Sequence, residues 1–316
     1  MKEKLVIILG PTASGKTNLS IIVAKQIKGE IISGDSMQVY RKMDIGTAKI
    51  TLEERQGIIH HLLDIRDPDQ PYSVADFQQM ARQLITDINS RGKIPIIVGG
   101  TGLYISSVID PYIFTDNSSQ DSEFRQRLKK LYASGQAEIL YKRLQEIDPL
   151  AAAKIHPNDS HRLIRALEVY KKTGRPISQI QQESQNLPKP DYILVMIGLT
   201  MNRHKLYQRI DQRVDMMLEA GLEKEVLDLL EAGYTLNNQS MQGLGYRQIA
   251  DYLLSNVNKE TAIHNLKRDT RRYAKRQLTW FKRDERIKWF DIDCYSDLAD
   301  VAKDVIYEIR RVIGED

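Results

Sequence analysis

The chain has 316 residues, of which 41% are hydrophobic and 28% are charged, and its net charge is +4 at pH 7. This is an ordinary globular composition for one large or two modest domains, and the longest apolar runs fall far short of the ~20 residues of a transmembrane helix. A single cysteine, Cys294, excludes an internal disulfide framework and a cysteine-based zinc site. We therefore expect a cytoplasmic protein with no membrane segment.

Predicted strands and helices alternate over the first 110 residues. Strands are predicted at 5–9, 30–33 and 94–98, and the helix predicted at 73–90 has Ser73 as its N-cap, with Asp76 three residues later. Strands that alternate with helices imply a parallel sheet covered on both faces. The sequence therefore predicts an α/β fold for this part of the chain.

The pattern turns helical after about residue 113, and a strand returns at 192–199. Asn158 or Asp159 is the expected N-cap of one helix in this stretch, and Gly174 is its expected C-terminal stop. We predict a P-loop NTPase-like parallel-sheet core, formed by residues 1–112 and 191–316 with helices at its C-terminal end. Residues 113–190 are predicted to form a helical insertion domain.

The first strand leads into a phosphate-binding loop. Residues 10–17 read "GPTASGKT", which matches G-x-x-x-x-G-K-[ST], and an apolar-periodic helix follows. Backbone N–H groups of such a loop and the following helix N-terminus bind phosphate, while Lys16 neutralises it and the Thr17 hydroxyl binds Mg²⁺. The predicted phosphate-binding residues are Gly10, Thr12, Ala13, Ser14, Gly15, Lys16 and Thr17.

The acidic partner of this loop is the next question. An ATP-hydrolysing enzyme of this class carries an Asp after a nearby strand, whereas the strand at 94–98 is followed by "GGTG". The carboxylate that is available is Asp35, after the strand at 30–33. Because adjacent parallel strands end at the same crevice, Asp35 suits a general base. These residues leave two interpretations open, a small-molecule kinase and a transferase that expels the held phosphates.

Residues 267–288 form a basic block with ten Lys and Arg against three Asp and Glu. Interleaved aromatic side chains make the block a candidate nucleic-acid surface, and the alternative is a solvated helix face. Helical spacing predicts that one face packs inward and the other faces RNA. The inward residues are expected to be Ile263, Leu266, Tyr273 and Trp280, and the outward cations Arg271, Lys275 and Arg276.

Several longer segments carry a more specific pattern. In chain order they are "GPTASGKTNLS", "ISGDSMQVYRKMDIGTAK", "HHLLDIRDPDQPYSVADF", "PIIVGGTGLY", "DPLAAAKIHPNDSHRLIRALEVYKKTGRPIS", "GLGYRQIADYL" and "RRYAKRQLTWFKRD". On these segments the chain resembles the tRNA dimethylallyltransferases, also called isopentenyl-tRNA transferases, over nearly its whole length. Departures are few, with Lys42 where many members have Gly and Ile50 where Pro is frequent.

The resemblance implies a reaction. Members of the family transfer a dimethylallyl group from dimethylallyl diphosphate to the exocyclic amine of an adenosine next to the tRNA anticodon. The loop at 10–17 then holds a diphosphate leaving group, assisted by Mg²⁺, and Asp35 acts as the base. Thr101 matches the family's threonine beside the diphosphate, and Arg213 matches an arginine that reaches it.

The resemblance also implies RNA contacts. The target base must be flipped out of its stack, and Ser36, Met37 and Gln38 match positions that contact it. The insertion domain is expected to grip the anticodon stem. Further expected tRNA contacts are His161, Arg162 and Arg165 in the insertion, Gln242, Gly243, Gly245 and Arg247, and the cations Arg271, Lys275 and Arg276 of the basic block.

Three alternatives remain beside the tRNA-modifying enzyme. A related enzyme that prenylates free adenine nucleotides shares the loop and the base, but needs neither the insertion nor the basic helix. A small-molecule kinase is the second, and a non-enzymatic RNA-binding module, which has no use for the loop, is the third. We expect a monomer whose partners are tRNA and dimethylallyl diphosphate, with no protein partner implied.

Overall fold

The computed structural model describes residues 2–114 and 122–314. Its strands are β1 (Glu3–Leu9), β2 (Gly29–Ser33), β3 (His60–His61), β4 (Ile94–Gly99), β5 (Tyr192–Thr200) and β6 (Ile287–Asp291). Its helices are α1 (Lys16–Gln26), α2 (Val74–Ser90), α3 (Gly102–Ile109), α4 (Ser122–Ala133), α5 (Ala137–Ile147), α6 (Pro149–Ala152), α7 (Ser160–Thr173), α8 (Ile177–Gln185), α9 (Arg203–Glu219), α10 (Leu222–Glu231), α11 (Tyr246–Leu253), α12 (Lys259–Phe281) and α13 (Leu298–Ile313).

The chain divides into two compact units. One consists of Met1–Val108 and Asp191–Asp316, and the other of Ile109–Pro190. The helical unit therefore begins four residues earlier than position 113. No helix among the residues that the structure describes is both long and apolar enough to cross a membrane.

The first unit is built on one parallel sheet with the strand order β3-β2-β4-β1-β5-β6. The predicted P-loop-like α/β core is confirmed. The inner strands carry nearly continuous apolar runs, as expected where helices cover both faces of a sheet. On one face α1 and α13 bury side chains against the sheet in a single apolar cluster that includes Leu19, Val23, Val305 and Ile309.

Strand register brings three loops to the same sheet edge. Leu9 pairs with Gly99, and Ser33 pairs with Val98, so β1, β2 and β4 end side by side. The phosphate loop, Asp35 and the turn after β4 each follow one of these ends. This edge is where parallel sheets place their ligand sites.

Local signals set the helix boundaries as expected. Ser73 and Asp76 form a complete capping box at α2, with Ser73 N donating to Asp76 Oδ2 at 2.8 Å and Asp76 N donating to Ser73 Oγ at 3.3 Å. In the helical unit Asp159, rather than Asn158, caps α7 by accepting from the Arg162 N–H at 3.1 Å. Gly174 ends α7 with φ 68°.

The helical unit has its own core. Leucines of α4, α5 and α7 pack together in it, among them Leu128, Leu144, Leu163 and Leu167. This core lets the unit be treated as a compact body in its own right.

Candidate active site

The phosphate loop is preformed around glycine and left-handed backbone. A Cβ on Gly10 would lie 2.7 Å from the Leu199 carbonyl oxygen, so no side chain fits there. Ala13 and Gly15 have positive φ, 64° and 87°. Lys16 and Thr17 open α1, and the first N–H groups of a helix have no intrahelical partner. These residues therefore form an anion cradle at the end of β1.

Two cations share this cradle. Burial and, to a smaller extent, the nearby charge of Arg213 lower the pKa of Lys16 to about 7, with Asp35 opposing the shift. Arg213 extends from α9, and burial lowers its pKa as well, with Asp35 again opposing the shift. Enclosing two like charges is unfavourable unless an anion comes between them. The site is therefore electrostatically complementary to a phosphate-containing group.

Asp35 lies opposite this pair of cations. Its Oδ1 accepts hydrogen bonds from the N–H groups of Met37 at 2.8 Å and Gln38 at 3.4 Å. Its Oδ2 has no hydrogen bond among the residues that the structure describes. One oxygen therefore fixes the carboxylate, and the other is available to accept a proton.

Two chambers meet at Asp35. The inner chamber, of about 110 Å³, combines Lys16 and Thr17 with an apolar wall of Ile31, Ala48, Ile50, Leu63 and Val98. The outer chamber, of about 450 Å³, includes residues of α9, α11 and α12. Five residues line both chambers: Thr12, Asp35, Thr47, Arg213 and Tyr273. A reacting group in each chamber would therefore meet beside the carboxylate and Arg213.

The turn after β4 is packed against the neighbouring backbone. A Cβ on Gly99 would lie 2.5 Å from the carbonyl oxygen of Gly34. The Thr101 hydroxyl is buried without a well-formed hydrogen bond in the described part of the chain. Burial and the charge of Asp35 raise the pKa of Tyr273 to about 12, and the side chains of Thr101 and Gln277 oppose this rise.

Residues expected to contact the RNA base lie around the outer chamber. Ser36 and Met37 line it, whereas Gln38 lines the inner chamber. Gln242, Gly243, Gly245 and Arg247 also line the outer chamber. Gly245 has φ 93°, which favours glycine, and it precedes α11.

The loop at 44–46 is held in place by one carboxylate. Glu225 accepts from the backbone N–H groups of Asp44 at 2.9 Å, Ile45 at 2.8 Å and Gly46 at 3.1 Å. The Tyr246 hydroxyl donates to the same carboxylate at 2.6 Å. This arrangement fixes the wall that Gly46 and Thr47 contribute to the outer chamber.

Helix α12 departs from the expected pattern. Trp280 is 38% exposed rather than packed in the core, because its ring lies over Gly102, where a Cβ would be 2.3 Å from Cδ1. Arg271 pairs with Asp211 at 2.5 Å, and Lys275 is exposed and lines neither chamber. Arg276 does line the outer chamber, with its guanidinium 5.7 Å from the centre of the Tyr273 ring.

The sequence does not identify Thr47, Arg272 and Gln277 as residues of the site, and it predicts that Tyr273 packs inward although Tyr273 lines both chambers. Gln277 had a detectable signal, since a polar residue at a buried helical position beside Ala274 and Phe281 implies a specific partner. Arg272 had none, because it looks like every other cation of the block.

The three residues predicted in the helical unit lie on α7. His161 and Arg162 are exposed, and Arg162 pairs with Asp159 at 3.4 Å. Arg165 is half-buried; burial lowers its pKa, the charge of Glu168 raises it, and Arg125 lowers it. Tyr170, on the same helix, is 36% exposed.

A parallel sheet with a phosphate loop at its edge and a carboxylate across from that loop defines a P-loop enzyme of the group-transfer type. A family model described as IPP transferase matches residues 38–284. The tRNA dimethylallyltransferase of Carboxydothermus hydrogenoformans is 59% identical over 92% of this chain and 93% of its own. One from Thermoanaerobacter is 52% identical over 97% of both chains. The chain belongs to this family, and the resemblance drawn from its motifs is confirmed.

Solved structures agree. The tRNA isopentenylpyrophosphate transferase of Bacillus halodurans is 48% identical and covers 99% of both chains, with a TM-score of 0.72. A eukaryotic dimethylallyltransferase crystallised as it acts on tRNA is 32% identical, with a TM-score of 0.82 over 99% of this chain and 80% of that one. The fold is therefore common to bacterial and eukaryotic members.

Proposed function

We propose that this protein transfers a dimethylallyl group from dimethylallyl diphosphate to the exocyclic amine of the adenosine adjacent to the tRNA anticodon. The observation that carries the proposal is the meeting of two chambers at Asp35, one beside a phosphate loop and the other open to cationic helices. A substrate held in each chamber would have its reacting group beside the shared carboxylate.

The inner chamber suits the prenyl diphosphate. The diphosphate would lie on residues 10–17, neutralised by Lys16 and Arg213, and the five-carbon group would lie against Ile31, Ile50 and Val98. The apolar side chains in this wall favour a short hydrocarbon chain over the polar ribose of a nucleoside triphosphate.

The reaction balances with the groups present. The amine nitrogen forms a bond to the allylic carbon as the carbon–oxygen bond breaks, and that electron pair leaves on the bridging oxygen of diphosphate. Lys16 and Arg213 stabilise the departing charge, and the buried Thr101 hydroxyl can donate a hydrogen bond to it. Asp35 Oδ2 takes the amine proton, because Oδ1 is already held by backbone N–H groups.

Magnesium fits this site as a partner of the diphosphate. The described residues contain no group of three His, Cys, Asp or Glu able to form an all-protein cage. Mg²⁺ usually keeps several waters and takes its other ligands from phosphates and one or two protein oxygens, which the Thr17 hydroxyl can supply. When bound, it would neutralise part of the leaving-group charge.

The outer chamber suits a flipped adenosine of tRNA. Ser36, Met37, Gly243 and Gly245 would contact the base, with Gln242 beside it and Gln38 behind it toward the inner chamber. Arg247 and Arg276 would contact nearby phosphates. Arg271 and Lys275 would contact the RNA phosphate backbone outside the chamber. In the helical unit, the anticodon stem would be contacted by His161, Arg162 and Arg165. We further propose a cytoplasmic monomer.

One incubation tests the proposal. Purified protein is mixed with Mg²⁺, radiolabelled dimethylallyl diphosphate, unmodified tRNA, AMP and ATP. The label in RNA and in the nucleotides is counted, and the ATP that remains is measured. We expect label in tRNA and none in free adenine nucleotides. Label in the nucleotides alone would support an adenylate isopentenyltransferase, and ATP consumption without label transfer would support a kinase; either result would contradict the proposal.

A further inference from the structure

Gln277 connects the basic helix to two loops of the active site. Its side chain is buried on α12, with 6% of the residue exposed. Oε1 accepts a hydrogen bond from the Thr12 N–H at 2.9 Å, and Nε2 donates one to the Gly100 carbonyl oxygen at 3.0 Å. One amide therefore joins the phosphate loop to the turn after β4.

The backbone at Gly100 is shaped to this contact. A Cβ there would lie 2.0 Å from Gln277 Nε2 and 3.1 Å from its Cδ. Among side chains of this length, only an amide can accept from one backbone group while donating to another, because a carboxylate cannot donate and an amine cannot accept. Both the glycine and the glutamine are therefore required at this junction.

The same helix contacts the site at two further points. Tyr273, one turn before Gln277, lines both chambers, and Trp280 lies over Gly102. The cations Arg272 and Arg276 lie on α12 as well, and they line the outer chamber. The helix that lines the outer chamber therefore also links the phosphate loop to the turn that contains Thr101.

Resting on the function proposed above, we propose that Gln277 is a positioning residue for the diphosphate. It fixes the phosphate loop relative to the turn that carries Thr101, so that the loop and the Thr101 hydroxyl can contact the same leaving group. It acts through the Thr12 N–H and the Gly100 carbonyl, without itself performing the chemistry. Misplacement by about 1 Å at such a site is costly to the reaction.

The test compares buried Gln277 with half-buried Asn89, an amide that likewise accepts from one backbone N–H and donates to a backbone carbonyl. Gln277→Met keeps the side-chain length and removes both hydrogen bonds. The control is Asn89→Leu, since Asn89 accepts from Lys4 N at 2.9 Å and donates to Lys4 O at 3.0 Å, next to the opposite end of β1. For both variants we measure the Kd of inorganic diphosphate with Mg²⁺ by calorimetry, the Kd of tRNA, and the Tm.

We expect Gln277→Met to weaken diphosphate binding about tenfold, which corresponds to ~1.4 kcal/mol, while the Kd of tRNA stays within about twofold. Asn89→Leu should lower the Tm comparably and leave diphosphate binding unchanged. Should Gln277→Met fail to fold, Gly100→Ala tests the same contact, because its Cβ displaces the Gln277 amide. We expect the same selective loss from it.

Two outcomes overturn the inference. One is unchanged diphosphate affinity with a lowered Tm, which would make Gln277 a purely structural residue. The other is an equal loss of tRNA and diphosphate affinity, which would mean that Gln277 supports only the fold of α12. Binding of inorganic diphosphate needs no prenyl transfer. The wild-type protein could bind diphosphate with an affinity that depends on Gln277 and still transfer nothing to tRNA. That result would contradict the proposed function but not the role of Gln277.

Discussion

The inner and outer chambers are assembled in different ways. Most residues that line the inner chamber lie between positions 12 and 100, and its phosphate loop is one short continuous motif. The outer chamber is assembled from α9, the segment before α11, and α12, whose residues are far apart in the chain. The inner chamber, at the strand ends, therefore depends on local backbone geometry, whereas the outer chamber depends on how distant helices pack.

The largest expected effect falls on the carboxylate that both chambers share. Asp35→Asn preserves an acceptor for the Met37 N–H but removes the base, so kcat should fall about 10² to 10⁴-fold. The Kd of inorganic diphosphate should change little. Single-turnover kinetics with saturating tRNA measure the loss. Near-wild-type turnover in this variant would remove Asp35 from the role of base.

The inner chamber should be sensitive to pH through Lys16. Burial lowers its pKa to about 7 in the free protein, so the lysine is charged below that pH and neutral above it. Anion binding requires the charged form, so affinity for diphosphate is full well below pH 7 and falls as pH rises, by about fivefold between pH 7 and 8. Calorimetry across this range measures the trend.

The matched variant is Lys16→Arg, whose guanidinium remains charged at these pH values. The wild-type slope in excess of the arginine variant's slope is the contribution of Lys16, since titration of the ligand is common to both. Equal slopes for the two proteins would show that Lys16 stays protonated throughout.

The outer chamber should respond to the loss of its cations instead. The double change Arg272→Ala and Arg276→Ala removes two positive charges that line it, so tRNA binding should weaken about fivefold near 0.15 M salt. The plot of log Kd against log salt should lose about two units of slope, and the KM for dimethylallyl diphosphate should be unchanged. Lys303→Ala, on α13, is the control. A double variant with wild-type salt dependence would exclude this wall from the RNA interface.

The smallest expected effect concerns the apolar wall of the inner chamber. Ile50→Val removes one methylene from a position that is 7% exposed and lines the chamber. Losing contact with one CH₂ corresponds to ~0.8 kcal/mol, so kcat/KM for dimethylallyl diphosphate should fall about fourfold while the Kd of tRNA is unaffected. Steady-state kinetics decide the matter, and a change in tRNA affinity alone would place the prenyl group elsewhere.

The same contrast explains what the sequence predicted. Strands β1, β2, β4 and β5, the loop at 10–17 and the location of Asp35 beside it follow from apolar runs and a motif whose spacing leaves one backbone solution. The two outermost strands, β3 and β6, were not predicted. Trp280 was placed wrongly because helical periodicity identifies an inward face but not a glycine on another element that receives the ring at the surface. The partner of Gln277 was equally unpredictable, because Thr12 and Gly100 lie 265 and 177 residues away from it.

Charges in the basic block show the same limit. The block contains ten cations that look alike in the sequence, yet Arg271 pairs with Asp211 while Arg272 and Arg276 line the outer chamber. Whether a cation faces RNA or a neighbouring carboxylate depends on α9, which packs beside α12 and carries Asp211, 60 residues before Arg271. Net charge can therefore indicate a nucleic-acid partner without identifying which residues contact it.

If the phosphate loop holds a leaving group, that group departs as intact diphosphate. Dimethylallyl diphosphate carrying a heavy oxygen isotope at the bridging position is incubated with the protein and unmodified tRNA, and the products are analysed by mass spectrometry. We expect one diphosphate released per prenyl group transferred, with the heavy oxygen retained in the diphosphate, because the carbon–oxygen bond breaks. Heavy oxygen in a prenyl alcohol, or orthophosphate released in step with transfer, would contradict it.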